Sequence, residues 1–255
     1  MTGFARYWGQ GGDRALLLHC SMAHSGAWDG VARALCDRLT LCAPDLVGHG
    51  KGPPRDAARD YHDQCTEVAL AHLPDAPCHL VGHSFGATIA LRLALDHPGR
   101  VRSLTLIEPV LFAAAQGGPG WHQQAAVAAQ LDAAFAMGDR AAATRTFLTV
   151  WGDGQPFDSL PPAQQAYFQD RIWVVAASNA ALQADSARLL PRLGALCGPV
   201  LLIEGDRAPR VIAEIQTALA AAIPQARRVV IPGAGHMAPI THPAEIAKAI
   251  ACQLL

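Results

Sequence analysis

Apolar residues along this chain fall into short runs separated by longer stretches of helical periodicity. Ala15 to His19 is unbroken, as in a strand buried on both faces. Gly3 to Trp8, Leu41 to Ala43, Cys78 to Val81, Val101 to Ile107, Pro199 to Glu204 and Arg228 to Ile231 read as further strands. Between them, Trp28, Val31, Leu35 and Leu39 fall on one helical face. Helices are also expected over Tyr61 to Leu73, over the alanine-rich Ala87 to Leu95, and over Arg210 to Ile223, where Ile212, Ile215, Leu219 and Ile223 share a side. A last helix starts at His242-Pro243, with proline suited to a first helical position. Alternation of strand and helix predicts an α/β fold, a mostly parallel sheet flanked by helices. In such sheets, sites collect beyond the carboxyl ends of the strands. Ser21, Ser84, Glu108, Asp206 and His236 all come just after predicted strands.

One interval breaks the alternation. From Glu108 to Pro199 the chain is much longer than a crossover requires. It reads as four helices, Gln123 to Met137, Arg140 to Trp151, Ala163 to Ala177 and Ala180 to Leu193, separated by glycines and by Pro161-Pro162. Nine of the chain's fifteen aromatics lie there (7 Phe, 5 Trp and 3 Tyr in all), and more than half of the nine are expected to form the segment's own small core.

Composition narrows the function without choosing it. With 255 residues, 51% hydrophobic and 16% charged, the chain can bury a large core. A formal net charge of -1 gives no reason to expect nucleic acid or an anionic membrane as partner. The opening Met1 to Trp8 has no apolar leader, and no run of about 18 apolar residues occurs, so the expectation is a cytoplasmic protein. Seven scattered cysteines without C-x-x-C spacing read as reduced, mostly buried residues. His79 and His83 stand four apart, but on a strand entering a turn they do not share a helical face, so no metal or other cofactor is expected.

The chemistry concentrates at Gly82-His83-Ser84-Phe85-Gly86, which follows a short apolar run and precedes an apolar helix. That context fits a nucleophilic serine on a strained strand-to-helix turn, with Gly82 and Gly86 letting strand and helix come close. The helix begins just past Ser84, so its free N–H groups and positive dipole end face charge developing there.

With Leu16-Leu17-Leu18-His19, Asp45-Leu46-Val47-Gly48-His49-Gly50 and Gly233-Ala234-Gly235-His236, this motif resembles the α/β-hydrolase fold superfamily over nearly the full chain. The resemblance implies a core of residues 1–111 and 195–255 and an inserted helical cap of residues 112–194. It implies Ser84 as nucleophile, His236 as general base, and the backbone N–H groups of Ser21 and Phe85 as the oxyanion hole. Cys20 replaces the glycine usual after the histidine, which leaves the backbone donor intact. His49 and His83 are read as structural. The triad acid departs from the pattern: the usual aspartate position is Ala208. Glu108, at the end of a strand, is favoured over Asp206, which lies two residues early in the usual loop.

The function expected is a serine hydrolase acting on a small, largely apolar carboxylic ester, lactone or thioester through an acyl-enzyme. Hydrolysis of a carbon–carbon bond in a ring-cleavage product, or a ligand-binding or signalling protein with little turnover, are the alternatives.

Overall fold

The computed structural model describes residues 3–254; residues 1, 2 and 255 of the expected core lie outside them. Seven strands form one sheet: β1 (Ala5–Trp8), β2 (Asp13–Leu18), β3 (Leu39–Pro44), β4 (Cys78–His83), β5 (Val101–Ile107), β6 (Val200–Gly205) and β7 (Ala226–Ile231). Their order is β1-β3-β2-β4-β5-β6-β7. Only β1 runs antiparallel, pairing Ala5 with Pro44 and Trp8 with Leu41.

Ten α-helices lie among the described residues. They are α1 (Asp29–Leu35), α2 (Tyr61–His72), α3 (Phe85–Asp96), α4 (Pro119–Ala136), α5 (Arg140–Trp151), α6 (Pro162–Arg171), α7 (Trp173–Ala184), α8 (Arg210–Ala222), α9 (Ala238–Thr241) and α10 (Pro243–Gln253). Successive strand residues point to opposite faces, so the unbroken apolar runs feed two cores at once. Leu16, Leu18, Leu80, Leu104 and Leu202 pack on the side of α2, α3 and α8. Leu17, Val81, Ile107, Leu201 and Ile203 pack on the side of α1 and α10.

Several expected elements shift. Leu39 does not continue the first helix: α1 stops at Leu35, and Leu39 opens β3, where it is buried against the same apolar layer. The strand expected from Gly3 begins at Ala5, and α9 was not expected. In the long interval, α4 starts at Pro119, four residues early, with proline in its first turn and its N–H groups met from outside. Glu214 of α8 does this, its carboxylate accepting from the N–H groups of Gly120 and Trp121 at 2.7 and 3.1 Å. A carboxylate at that end also meets the helix dipole favourably. Helix α5 runs from Arg140 to Trp151 as expected, with the Asp139 side chain accepting from Ala142 N–H at its start. The third and fourth expected helices are instead α6 and α7, divided at Ile172 and ending at Ala184. Asp185 then takes a left-handed conformation, and its carboxylate accepts from Leu189 and Leu190 N–H.

Candidate active site

Ser84 stands between β4 and α3 with φ 55° and ψ −118°. A non-glycine residue there is strained by roughly 1–3 kcal/mol and persists only where its surroundings fix it. They do so tightly. A Cβ on Gly82 would sit 2.4 Å from the Gly86 carbonyl oxygen, and one on Gly86 would sit 2.3 Å from that of Leu18. The Ser84 N–H donates to Ile107 O at 2.9 Å, so the turn is also tied to β5.

Glu108 directly follows β5, also at positive φ (45°), and is wholly buried. Its N–H donates to Ile203 O at 2.8 Å. One carboxylate oxygen accepts from Gly205 N–H at 2.8 Å and the other from Nδ1 of His236 at 2.6 Å. Because Nδ1 donates, Nε2 presents its lone pair, and the Ser84 hydroxyl lies 2.9 Å from it. Residues 84, 108 and 236 thus form one hydrogen-bonded chain. Asp206 does not enter it: that side chain is exposed and accepts from Gly233 N–H at 2.7 Å, shaping the loop that carries the histidine. Gly233 (φ 77°) needs its glycine for that turn. Ala208 is half-buried and offers no carboxylate.

The other buried histidines hold loops. His83 donates from Nε2 to the backbone oxygen of His236 at 2.8 Å. His19 accepts from Leu46 N–H at 3.0 Å and donates to Cys20 O at 2.8 Å, and burial pulls its pKa down to about 4. His49 accepts from Met22 N–H at 2.9 Å and donates to Val47 O at 3.0 Å; burial holds it well below the usual histidine range. Neutral rings are what the His19 and His49 bonds require, since each of these two rings both donates and accepts. Together they pin residues 19–22, and Met22 is forced to φ 63°. Asp45 secures the next segment by accepting from Ser25 and Lys51 N–H at 2.7 and 2.8 Å. Burial pushes its carboxyl up, but those bonds outweigh it and leave the pKa lowered.

Ser21 projects from this pinned loop into the cavities beside Ser84. Among the described residues, neither the Ser21 N–H nor the Phe85 N–H, at the start of α3, meets a protein acceptor. Cys20 is buried, with burial pushing its thiol up to about 12, as befits a packing residue rather than a nucleophile. His79 bonds Ser103 at 2.8 Å, so it and His83 have separate partners, and no three metal-type ligands gather among the described residues.

The helical segment borders the site. Trp151 sets its ring edge-on to the His236 imidazole, centroids 4.7 Å apart. Of the nine aromatics in the segment, Phe112, Trp121, Phe135, Phe147, Trp151, Phe168 and Trp173 belong to the apolar core or pack against it, and Phe112, Phe147, Trp151, Tyr167 and Phe168 line cavities, so four do both. Trp173 packs elsewhere, against Tyr61 at 5.4 Å. Sequence reasoning missed Gln124, Asn179 and Gln183, which line the small cavity reaching Ser84. The spacing of Asn179 and Gln183, four apart on an otherwise apolar helix, was the available signal.

Comparison with known proteins agrees with this architecture. A family model for the alpha/beta hydrolase fold matches residues 16–243. The pimeloyl-acyl-carrier-protein methyl ester esterase of Nitrosomonas europaea is 44% identical over 96 residues, a stretch that spans 38% of this chain and 37% of that protein. The esterase of the same name from Aeromonas hydrophila is 30% identical over 254 residues, 95% of each chain. The enol-lactonase of Burkholderia xenovorans shares the fold, with a TM-score of 0.75 at 22% identity over 99% of this chain and 96% of that one. The chain belongs to the alpha/beta hydrolase fold family.

Proposed function

We propose that the chain is a serine hydrolase of the carboxylesterase kind, cleaving a small, largely apolar carboxylic ester through an acyl-enzyme on Ser84. The observation that carries this reading is the unbroken relay from Glu108 to His236 to Ser84, at 2.6 and 2.9 Å. His236 Nε2 takes the hydroxyl proton as Ser84 Oγ bonds to the carbonyl carbon. The displaced electron pair gathers on the carbonyl oxygen, held by the Ser21 and Phe85 N–H groups. When the intermediate collapses, the alkoxide takes the proton from Nε2 and departs as alcohol. Water then repeats the sequence against the acyl group and releases the acid. Glu108 keeps the ring in the tautomer that faces Ser84 and balances the imidazolium that forms twice per cycle.

Residues 112–194 act as a cap over this relay, with residues 1–111 and 195–255 as the core. Trp151 against His236 supports that division. Relatives named as esterases support ester cleavage. No helix among the described residues is long and apolar enough to cross a membrane, and seven cysteines without disulfides fit a reducing compartment such as the cytoplasm.

A fluorophosphonate should label Ser84 stoichiometrically and fail on Ser84→Ala, and short p-nitrophenyl esters should turn over. A folded protein that neither labels nor releases p-nitrophenol would refute the assignment.

A further inference from the structure

Two cavities meet at the site, sharing Ser21, Phe147 and Trp151 as walls. The larger, about 730 Å³, runs between the core loops and the α5–α6 region. Met237, Pro239 and Ile240, which follow the histidine of the relay, line it. The smaller, about 40 Å³, touches Ser84 and lies under α4 and α7. Its walls are largely apolar, Phe112 and Leu131 among them, with Gln124, Asn179 and Gln183 set into them.

Those three carboxamides have no function in the fold. Among the described residues none enters a hydrogen bond with the protein, although Gln124 is only 7% exposed. The Gln124 amide is not sealed inside protein either; it opens onto the cavity. Asn179 and Gln183, one turn apart, present their amides from α7, while Gln124 comes from α4. Buried amides are ordinarily paired. Gln124 is buried and Asn179 and Gln183 are half-buried, and the three unpaired amides set around one small cavity next to a nucleophile mark a binding subsite.

We infer that this cavity receives the acyl portion of the substrate, and that the acyl group is short and ends in a neutral hydrogen-bonding function such as a hydroxyl or carbonyl. The inference rests on the hydrolase reading above and names its substrate class. Acyl rather than alcohol follows from the proton path: the departing alcohol takes its proton from His236 and leaves on the side lined by Met237 and Ile240. The volume admits roughly two or three non-hydrogen atoms beyond the ester carbonyl. No lysine or arginine lines the cavity, and an unpaired carboxylate buried there would be costly, so the recognised group is uncharged.

The test compares p-nitrophenyl 3-hydroxypropionate with p-nitrophenyl butyrate, which replaces the hydroxyl by a methyl of similar size and keeps three non-hydrogen atoms beyond the carbonyl. Acylation is read as the p-nitrophenol burst or as steady turnover, in the wild type, Gln124→Leu and Asn179→Leu. Taking the ratio of the two esters within each protein, then comparing proteins, cancels their intrinsic reactivities. The hydroxy ester's advantage should fall about tenfold or more in each variant, since a site built around a hydrogen bond discriminates strongly against its absence. Fluorophosphonate labelling of Ser84 is run alongside. Full labelling with an unchanged ratio in the variants overturns the acyl subsite and leaves the hydrolase reading standing; absent labelling and absent p-nitrophenol release overturn both. Asn179 is half-buried, so its variant decides the matter if Gln124→Leu does not fold.

Discussion

On the sheet side of the site, backbone fixes each functional atom. Ser84 and Glu108 both sit at positive φ, the two glycines flanking the serine admit no side chain, and buried histidines tie down the neighbouring loops. On the helical side, Phe147, Trp151, Gln124 and Asn179 project from α-helices of ordinary geometry and are held by packing. The first wall tolerates one arrangement of atoms, as stabilising a transition state requires. The second can change its lining residue by residue without disturbing the first. Reactivity and selectivity therefore reside in different layers of the molecule.

The sharpest way to break this comparison is at Glu108. Its two oxygens serve Gly205 and His236 separately. In Glu108→Gln one amide oxygen remains, and an NH₂ group facing Nδ1 would favour the tautomer that turns N–H toward Ser84. Turnover of a p-nitrophenyl ester should fall roughly 10⁴-fold. Asp206→Asn keeps an acceptor for Gly233 N–H and should stay within a few-fold of the wild type. The opposite ranking in a steady-state assay would transfer the acid's role to Asp206.

Acid should weaken the sheet side more than the helical side, because the neutral buried histidines are there. Above pH 6.5 both folded and unfolded chains carry neutral His19 and His62, and these rings leave stability independent of pH. Burial lowers both to about 4 in the folded protein. Between those limits only the unfolded chain binds the proton, so unfolding free energy falls as pH falls, by about 1.4 kcal/mol per pH unit for each ring. Below about 4 the folded form protonates too, and this contribution levels off. His62 receives Arg92 on Nδ1 at 3.2 Å and donates to Thr88 at 3.1 Å. Urea titrations of His62→Gln between pH 6.5 and 4.5 should show a shallower slope than the wild type; an unchanged slope would remove His62 from this account.

The helical side is pinned to the core at Glu214. Glu214→Gln should lower the denaturant midpoint by an amount equivalent to about 1 kcal/mol, through loss of the charged cap on α4. Acylation of Ser84 should change far less. A midpoint unmoved by the substitution would mean that water serves the α4 N–H groups equally well.

How much of this was legible from residues alone follows the same division. Gly-x-Ser-x-Gly between an apolar run and an alanine-rich segment can satisfy its sterics in very few ways, so the turn was readable. So was Arg140–Trp151, where Asp139 and Gly152 bracket the helix. The division at Ile172 was not, because no glycine or proline stands there. Leu39 kept the helical spacing but went to a strand: the chain had to turn back to pair with β2, and Leu39 stays buried either way. The carboxamide subsite was legible only in part: the spacing of Asn179 and Gln183 puts those two on one helical face. Gln124 joins them at one cavity only in the folded chain, and local periodicity carries no record of that.

The Glu108 carboxylate also acts as a clasp. Through Gly205 it holds the crest of β6, and through His236 the loop beyond β7, so three strand ends share a single side chain. Deuterium uptake at the Gly205 amide would therefore report, without any substrate, how often the clasp lets go.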